Sequence, residues 1–237
     1  MVAIVTAAGA SQEANRKFGA HMGIKQEDIR PLKTSPVFRG VPLKERLDLL
    51  KEVDARIVEL EPGQLLRRAG DALDFYPVVI EGSVVGSMPQ GGQDRPVAHF
   101  GPGESFAEAV PATLKYTPVN ICAQEPTRIL CIPAKQLEAC TNPHAFLVRE
   151  NLSAEMSKKI GVLTQTLSVV GEPRLSDRIL AYLRTLPTDA EGRVEIPVNR
   201  QEWASYLRVA DKSLIRELRA MQNDGLLEVD GRHIRVL

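Results

Sequence analysis

Cysteine and histidine are scarce in this chain of 237 residues, and their spacing excludes several kinds of metal site. The 3 cysteines, Cys122, Cys131 and Cys140, lie far apart and form no CxxC pair, which local zinc and iron–sulfur sites usually have. An odd number at this spacing is not a disulfide framework. Buried structural thiols are the simplest interpretation, and a redox-sensing thiol is the alternative. We therefore expect no bound metal and no iron–sulfur cluster.

Sequence motifs of enzymes are also missing. The 4 histidines form no HxH pair, and the chain has no Walker A, GxSxG, HExxH or dinucleotide-binding glycine motif. The turn Gly101-Pro102-Gly103 superficially fits a cupin-like metalloenzyme, but such enzymes need clustered histidine and glutamate ligands. His99 beside this turn is a candidate haem ligand, although a lone histidine is more often structural. No catalytic residue is assigned, and a cupin-like metalloenzyme is kept only as an alternative.

Long hydrophobic runs and an excess of charge are absent as well. No apolar run approaches the length that spans a bilayer, and the start MVAIVTAAGA lacks the basic residues of a signal peptide. We expect a cytoplasmic protein with no membrane partner. Lys+Arg and Asp+Glu each number 30, whereas proteins that bind nucleic acid by bulk charge are usually basic. Any affinity for nucleic acid must therefore come from a local cluster of cations.

The last forty residues carry the clearest structural pattern. Asn199 is a candidate N-cap, and Glu202 stands three residues on, where a capping box places it. A second amphipathic helix is predicted from near Asp211 to Met221, ended by Asn-Asp-Gly. The segment LLEV-DG-HIRV then predicts a β-hairpin with Asp230-Gly231 in a tight turn. This order is typical of a winged helix-turn-helix, which places its second helix in the DNA major groove.

Polar residues at the starts of these two helices are the candidates for DNA contact. Arg216 can bind the O6 and N7 atoms of guanine, a pairing worth roughly 1–3 kcal/mol of discrimination. Arg200 is placed to contact a phosphate, and Lys212 and Ser213 either a base or a phosphate. The alternative interpretation is a solvated charged face. The predicted DNA-binding residues are Arg200, Gln201, Asp211, Lys212, Ser213 and Arg216.

The middle of the chain changes from strand-like to helical periodicity. A short amphipathic helix is predicted over 41–53, and from Arg56 onward apolar runs alternate with glycine and proline turns, as in a β-barrel or jelly roll of about eight strands. Asn142-Pro143 opens a long helix that lasts until about Val170. Its apolar stripe predicts a parallel homodimer, with burial against its own β domain as the alternative. A further helix, 175–186, and a short strand, 191–197, precede the helix-turn-helix.

This order resembles that of the Crp/Fnr family of bacterial transcription regulators over about residues 37–237. The motifs that carry the resemblance are ELEPGQLL (59–66), EGSV (81–84), FGPGESFAEA (100–109), LSAEMSKKI (152–160), NRQEWASYL (199–207) and RELRAMQNDGLL (216–227). The resemblance implies an α+β fold. Its parts are an N-terminal double-stranded β-helix, or jelly-roll, sensor domain, a long dimerisation helix and a C-terminal winged helix-turn-helix.

Domain limits follow from the same resemblance. We expect an N-terminal extension over 1–36, which could be an extra helix or a tail, and a cyclic-nucleotide-binding-like β-roll effector domain over 37–141. The dimerisation helix would span 142–171 and the winged helix-turn-helix DNA-binding domain 172–237. The implied regulator is a homodimer that binds a pseudo-palindromic site on double-stranded DNA, with RNA polymerase a candidate partner. Effector binding would reorient the DNA-binding domains about a hinge after the long helix.

The effector site implied by the family departs from the pattern that binds cyclic AMP. Glu108 matches the glutamate that binds the ribose, but Thr117-Pro118 occupies the position of the Arg-Ser pair that binds the cyclic phosphate. Without that arginine, no obvious charge complements a phosphate, and Pro118 has no N–H to donate. On the long helix, Leu163-Thr164 aligns with a Thr-Ser pair that contacts adenine.

We therefore expect an effector other than cyclic AMP. The predicted effector-binding residues are Glu108, Ala109, Thr117, Pro118, Leu163 and Thr164. The chain has no cysteine before Cys122, whereas the oxygen-sensing branch of the family has an N-terminal cysteine cluster. A small unidentified ligand, a redox-active thiol and a constitutively active form remain the alternatives for control.

Overall fold

The structure is a computed structural model, and it describes residues 24–91 and 93–237. It divides into two compact units, the first ending at Ser157 and the second spanning Lys158–Leu237. The division falls inside the long helix, so each unit is described by itself. Residues 1–23 of the expected N-terminal extension lie outside the described residues. The domain limits expected from the sequence, at 36, 141 and 171, stay predictions.

The first described residues of this unit, from Ile24 onward, are largely helical and pack into the core. Helix α1 (Gln26–Ile29), the 3₁₀ turns Arg30–Thr34 and Pro36–Phe38, and helix α2 (Leu43–Glu52) follow in sequence. Ile29, Leu32, Val37 and Phe38 have no exposed surface. The buried guanidinium of Arg46 donates hydrogen bonds to the carbonyls of Leu32, Phe38 and Val41 at 2.8, 3.1 and 2.8 Å. Residues 24–42 are therefore an integral part of this unit.

Two antiparallel sheets form the β-roll that the sequence predicts. Its strands are β1 (Arg56–Leu60), β2 (Leu65–Arg67), β3 (Phe75–Glu81), β4 (Val84–Gln90), β5 (Gln93–Phe100), β6 (Asn120–Ala123) and β7 (Thr127–Pro133). One sheet has the order β1-β7-β3 and the other β2-β6-β4-β5. The described residues thus hold seven strands here, where about eight were expected. Apolar side chains from both sheets, among them Val79, Ile121 and Ile129, form the core between them.

Helices α3 (Ala134–Ala139) and α4 (Pro143–Gly171) follow the roll. The start of α4 agrees with the prediction from Asn142-Pro143, because proline fits a first helical turn. Asn151 donates to the carbonyls of Val37 and Arg39 at 3.0 and 2.9 Å, so the first half of α4 is fixed to the first unit. No helix in the described part of the chain is long and apolar enough to cross a membrane.

The second unit has three further helices and a small sheet. Helix α5 (Leu175–Leu183), strand β8 (Arg193–Glu195), helices α6 (Arg200–Tyr206) and α7 (Asp211–Asn223), and strands β9 (Leu227–Asp230) and β10 (His233–Val236) follow in that order. The sheet order is β8-β10-β9. The hydrophobic core of this unit contains the fully buried side chains of Trp203, Leu207 and Leu214, and Val169 from the end of α4 packs with them. This is the predicted winged helix-turn-helix.

The hairpin of the wing differs from the sequence prediction by one residue. Asp230 pairs with His233, so the two loop residues are Gly231 and Arg232 rather than Asp230 and Gly231. Gly231 has φ 58°, which suits the first central position of a type II′ turn. Asp230 instead extends β9 by one residue. The prediction of a tight primed turn holds, but its register was wrong because Asp-Gly and Gly-Arg both satisfy the turn chemistry.

Candidate nucleic-acid interface and effector site

Helix α6 begins as the sequence predicts. The side chain of Asn199 accepts a hydrogen bond from the Glu202 N–H at 2.9 Å, and the Glu202 carboxylate accepts one from the Asn199 N–H at 3.0 Å. Such a reciprocal capping box satisfies two backbone donors that a helix start otherwise leaves free. After α6, Arg208 adopts φ 57°, a left-handed conformation that ends the helix and lets α7 begin at Asp211.

Helix α7 has a buried face and an opposite, cationic face. Leu214, Leu218 and Met221 are at most 5% exposed and pack on the core. The other face lines one open groove with Lys212, Ile215, Arg216, Arg219, Ala220 and Asn223. These positions follow the spacing i, i+3, i+4, i+7, i+8 and i+11, which is one stripe of a helix. The stripe, which we call the α7 groove, therefore carries three cations on the side away from the core.

Only some of the predicted DNA-binding residues line this groove. Lys212 and Arg216 are exposed and line the α7 groove. Ser213 and Asp211 are only partly exposed and do not line it, and Gln201 is exposed on α6. Sequence reasoning left out Ile215, Arg219 and Asn223 as site residues. The signal that could have found them is their helical spacing from Lys212 and Arg216, opposite the apolar positions.

Arg200 occupies a different environment from the one expected of a phosphate contact alone. Its guanidinium donates to the Gly231 carbonyl of the wing turn at 2.9 Å and lies over the Trp203 ring, 5.4 Å from the ring centre. Burial lowers the pKa of Arg200, and the charge of Asp211 acts against that shift. One further guanidinium nitrogen of Arg200, Nε1 of Trp203 and Oδ1 of Asp211 are buried without a hydrogen-bond partner in the protein. Arg200 thus joins the start of α6 to the wing.

Most charged side chains of the wing are engaged with each other. Arg193 pairs with Asp189 and Glu191, both at 3.0 Å, and Arg235 lies 3.6 Å from Glu228. By contrast, within the described parts of the chain Lys212, Arg216 and Arg219 have no carboxylate within 4.0 Å. Three cations without a carboxylate partner therefore lie together along the α7 groove. This is the local cluster of cations that a formally neutral chain needs to bind DNA.

The predicted effector residues of the first unit flank a π-helical turn, Val110–Leu114, between β5 and β6. Glu108 is only 4% exposed, and its carboxylate accepts a hydrogen bond of 2.5 Å from the Ser105 hydroxyl. Ala109 is partly buried and directly precedes this turn. Ala107 adopts φ 54°, a conformation that favours glycine, so the backbone next to Glu108 is strained.

Thr117 and Pro118 offer little to an anionic ligand. The Thr117 N–H donates to the Asp71 backbone carbonyl at 2.9 Å, and the Thr117 carbonyl accepts from the Gly70 N–H at 2.8 Å. The Thr117 hydroxyl donates to the Val119 carbonyl at 3.0 Å. Thr117 is 1% exposed, so its polar groups are engaged inside the roll. Pro118 is exposed and has no N–H.

Leu163 and Thr164 belong to the other unit. Both are exposed on the second half of α4, and Leu163 is 63% exposed. The first unit contains the other four predicted residues, Glu108, Ala109, Thr117 and Pro118, whereas Leu163 and Thr164 lie in the second. The six predicted effector-binding residues do not form one site within a single unit.

The thiols differ in environment. Cys131 is fully buried, and burial raises its pKa to about 12, so it stays protonated at neutral pH. Cys122 is partly buried, and Cys140 is a partly buried thiol whose Sγ donates to the Glu52 carboxylate at 3.3 Å. Any redox-sensing role would thus fall on Cys122 or Cys140. His99, the candidate haem ligand, is exposed.

Comparisons with known proteins match the β-roll and the helix-turn-helix to two different family models. The family model for the cyclic nucleotide-binding domain matches residues 57–144, and that for the Crp-like helix-turn-helix domain matches residues 177–237. The transcriptional activator protein FnrA of Stutzerimonas stutzeri is 27% identical over 198 residues, which are 81% of this chain and 80% of that protein. The transcriptional activator protein Anr of Pseudomonas aeruginosa is 25% identical over 200 residues, 81% of each chain.

One solved structure is also similar in outline. The catabolite activator protein of Thermus thermophilus is 22% identical, with 86% of this chain and 94% of that chain covered at a TM-score of 0.48. The two family models together span the β-roll and the winged helix-turn-helix. With a cyclic-nucleotide-binding-like roll, a long helix and a DNA-binding helix in that order, the chain belongs to the Crp/Fnr family of transcription regulators.

Proposed function

We propose that this regulator acts as a homodimer that binds a pseudo-palindromic DNA site through the α7 groove. The observation that carries the proposal is the groove itself, where Lys212, Arg216 and Arg219 project opposite the buried face of α7. An arginine that has no carboxylate partner can bind guanine in the major groove through two hydrogen bonds. Arg216, close to the start of α7, is the proposed guanine reader, and Lys212 and Ser213 are proposed to contact bases or phosphates.

The second half of α4 supports the proposed dimer. Ile160, Val162, Leu163 and Leu167 are between 55 and 63% exposed. A run of large apolar side chains on one helix is usually covered by another helix. Pairing two copies of this helix in parallel would hold two α7 helices at the separation of successive major grooves, about 34 Å. Homodimer formation is therefore the proposed role of residues 142–171.

Control is proposed to come from a small effector in the β-roll other than cyclic AMP. Glu108 is an acidic side chain buried in the roll, where its carboxylate accepts a hydrogen bond from the Ser105 hydroxyl. The polar groups of Thr117 are engaged with the backbone of the roll, and Pro118 has no donor. A phosphate would thus find no cation and no free N–H at these positions.

The setting of the proposed regulator follows from its target. A protein that reads DNA and acts on transcription works in the cytoplasm of a bacterial cell, where RNA polymerase is a candidate partner. The proposed role is that of a regulator without enzymatic activity. The domain limits proposed above assign sensing to 37–141 and DNA binding to 172–237.

Selection from a random duplex library tests the proposal. The full chain, with and without the small-molecule fraction of a bacterial extract, is expected to enrich an inverted repeat whose half-sites lie about one helical turn apart. Calorimetric titration with cyclic AMP is expected to show no micromolar binding. Enrichment of no sequence under either condition would contradict the DNA-binding proposal, and micromolar binding of cyclic AMP would contradict the effector proposal.

A further inference from the structure

One aliphatic side chain in the α7 groove has no role in folding that the structure shows. Ile215 is the fifth residue of α7 and lines the groove together with Lys212, Arg216 and Arg219. A β-branched aliphatic residue among three cations is unusual on a surface helix, where the polar face carries charged or polar residues. Its neighbour Leu214 is fully buried, so the burial of apolar surface in this turn is already provided.

Ile215 is not part of the hydrophobic core cluster of the second unit. The partly buried apolar side chains that pack on the core of the second unit, within the described parts of the chain, are Leu175, Leu180, Ala181, Leu186, Val198, Tyr206, Val209 and Val229. Ile215 is partly exposed and is not one of them. The exposed part of its side chain lines the α7 groove.

The chemistry of the major groove supplies a partner for such a side chain. Guanine, adenine and cytosine show only hydrogen-bonding groups there, whereas thymine also presents its 5-methyl group. We propose that Ile215 is a specificity-determining residue that contacts the 5-methyl group of a thymine in each half-site. The inference rests on the proposed function, because it needs the α7 groove to face the bases.

The position of this thymine follows from the helix geometry. Ile215 directly precedes Arg216, the proposed guanine reader, so the two residues are about 1.5 Å apart along the helix axis. Successive base pairs are about 3.4 Å apart. The contacted thymine should therefore lie within about two base pairs of the guanine that Arg216 binds.

The test removes the methyl group and the side chain separately. Each thymine of the selected operator is replaced in turn by deoxyuridine, which lacks only the 5-methyl group, and the dissociation constant of the full chain is measured. At one position in each half-site we expect binding to weaken by about fourfold, the worth of one buried methyl or methylene group. Replacing both symmetric thymines should weaken it by about fifteenfold.

Two variants then show whether Ile215 makes the contact. In Ile215→Ala, the difference between thymine and deoxyuridine at that position should disappear. In Leu226→Ala, which shortens an aliphatic residue that is 45% exposed outside the groove, the difference should remain. Fluorescence of the single tryptophan, Trp203, checks that both variants are folded.

The outcomes separate this inference from the proposed function. Failure to select any DNA sequence contradicts the proposed function itself. If an operator is selected but its half-site holds no thymine, or every thymine tolerates deoxyuridine, the inference is wrong while the proposed function stands. An unchanged preference for thymine in Ile215→Ala would likewise overturn it.

Discussion

Truncation of Arg200 should destabilise the DNA-binding unit, which loss of a phosphate contact alone would not do. The guanidinium donates to the Gly231 carbonyl in the wing turn and lies over the ring of Trp203. Arg200→Ala removes both contacts and leaves the facing carboxylate of Asp211 without the cation that interacts with it. The change therefore disconnects the start of α6 from the wing.

The size of this effect can be worked out from the two contacts. A hydrogen bond from a charged donor contributes about 1.5–3 kcal/mol, and a cation–π contact at a partly exposed site contributes about 0.5–1 kcal/mol. Because Arg200 is only partly buried, we expect a net loss of about 2 kcal/mol in the free energy of unfolding of this unit. For a small unit this lowers the urea midpoint by roughly 1–2 M.

Tryptophan fluorescence gives a direct assay, because the only tryptophan of the chain is Trp203 at the core of this unit. Arg216→Ala is the matched control, since Arg216 is exposed and its loss should change the free energy of unfolding by less than about 0.5 kcal/mol. A urea midpoint for Arg200→Ala equal to that of the wild type would refute the structural role of Arg200. An equal loss in both variants would refute it as well.

Three other expectations concern the thiols, the N-terminal segment and the dimer. Because its pKa is raised to about 12, Cys131 should resist alkylation at pH 8 until the protein unfolds, whereas the other two thiols should react. Mass spectrometry identifies the labelled thiols, and labelling of Cys131 in the native state would contradict this. Burial acts to raise the pKa of Asp28, but hydrogen bonds from the Lys25 N–H and from Arg128 outweigh it and lower the pKa below 3.8. The stabilisation is therefore present above that value and is lost as the pH falls through the lowered pKa. Asp28→Asn should cost about 1 kcal/mol at pH 7 in urea unfolding, and the cost should shrink as the pH falls below 3.8. A cost independent of pH would argue against the ion pair. Leu163→Glu should turn a dimer into a folded monomer in sedimentation equilibrium, and a variant that stays dimeric would show that this stripe is not the interface.

The sequence allowed the helix starts to be predicted because their chemistry is local. Asn199 and Glu202 form a capping box from residues three apart, and Pro143 fits a first helical turn without any tertiary contact. The alternation of apolar and polar residues likewise predicts strands, since it depends only on the two faces of the roll. The buried positions Leu214, Leu218 and Met221 of α7 could be predicted for the same reason, whereas Ile215, which the same spacing assigns to the apolar face, lines the groove.

Features that depend on tertiary contacts could not be predicted in this way. Residues 24–38 form one short helix and two 3₁₀ turns, which have no sustained 3.6-residue period, so their burial was not visible in the sequence. From the sequence, Arg46 is expected to be a surface cation of an amphipathic helix, yet it donates to three carbonyls of the preceding segment, two of them in the 3₁₀ turns. Arg200 reads as a phosphate contact because the position of the wing, which supplies its acceptor, is set 31 residues later.

The central claim is that the α7 groove reads a DNA sequence, and the ratio of two dissociation constants tests it most directly. The affinity of the full chain for its selected duplex is measured beside that for a scrambled duplex of equal length and composition, at 150 mM salt (roughly physiological). We predict a ratio of at least about 10³ for the wild type, with a loss of about 1–3 kcal/mol for Arg216→Ala on the selected duplex only. Equal affinities for the two duplexes, or an equal loss on both in Arg216→Ala, would contradict the account.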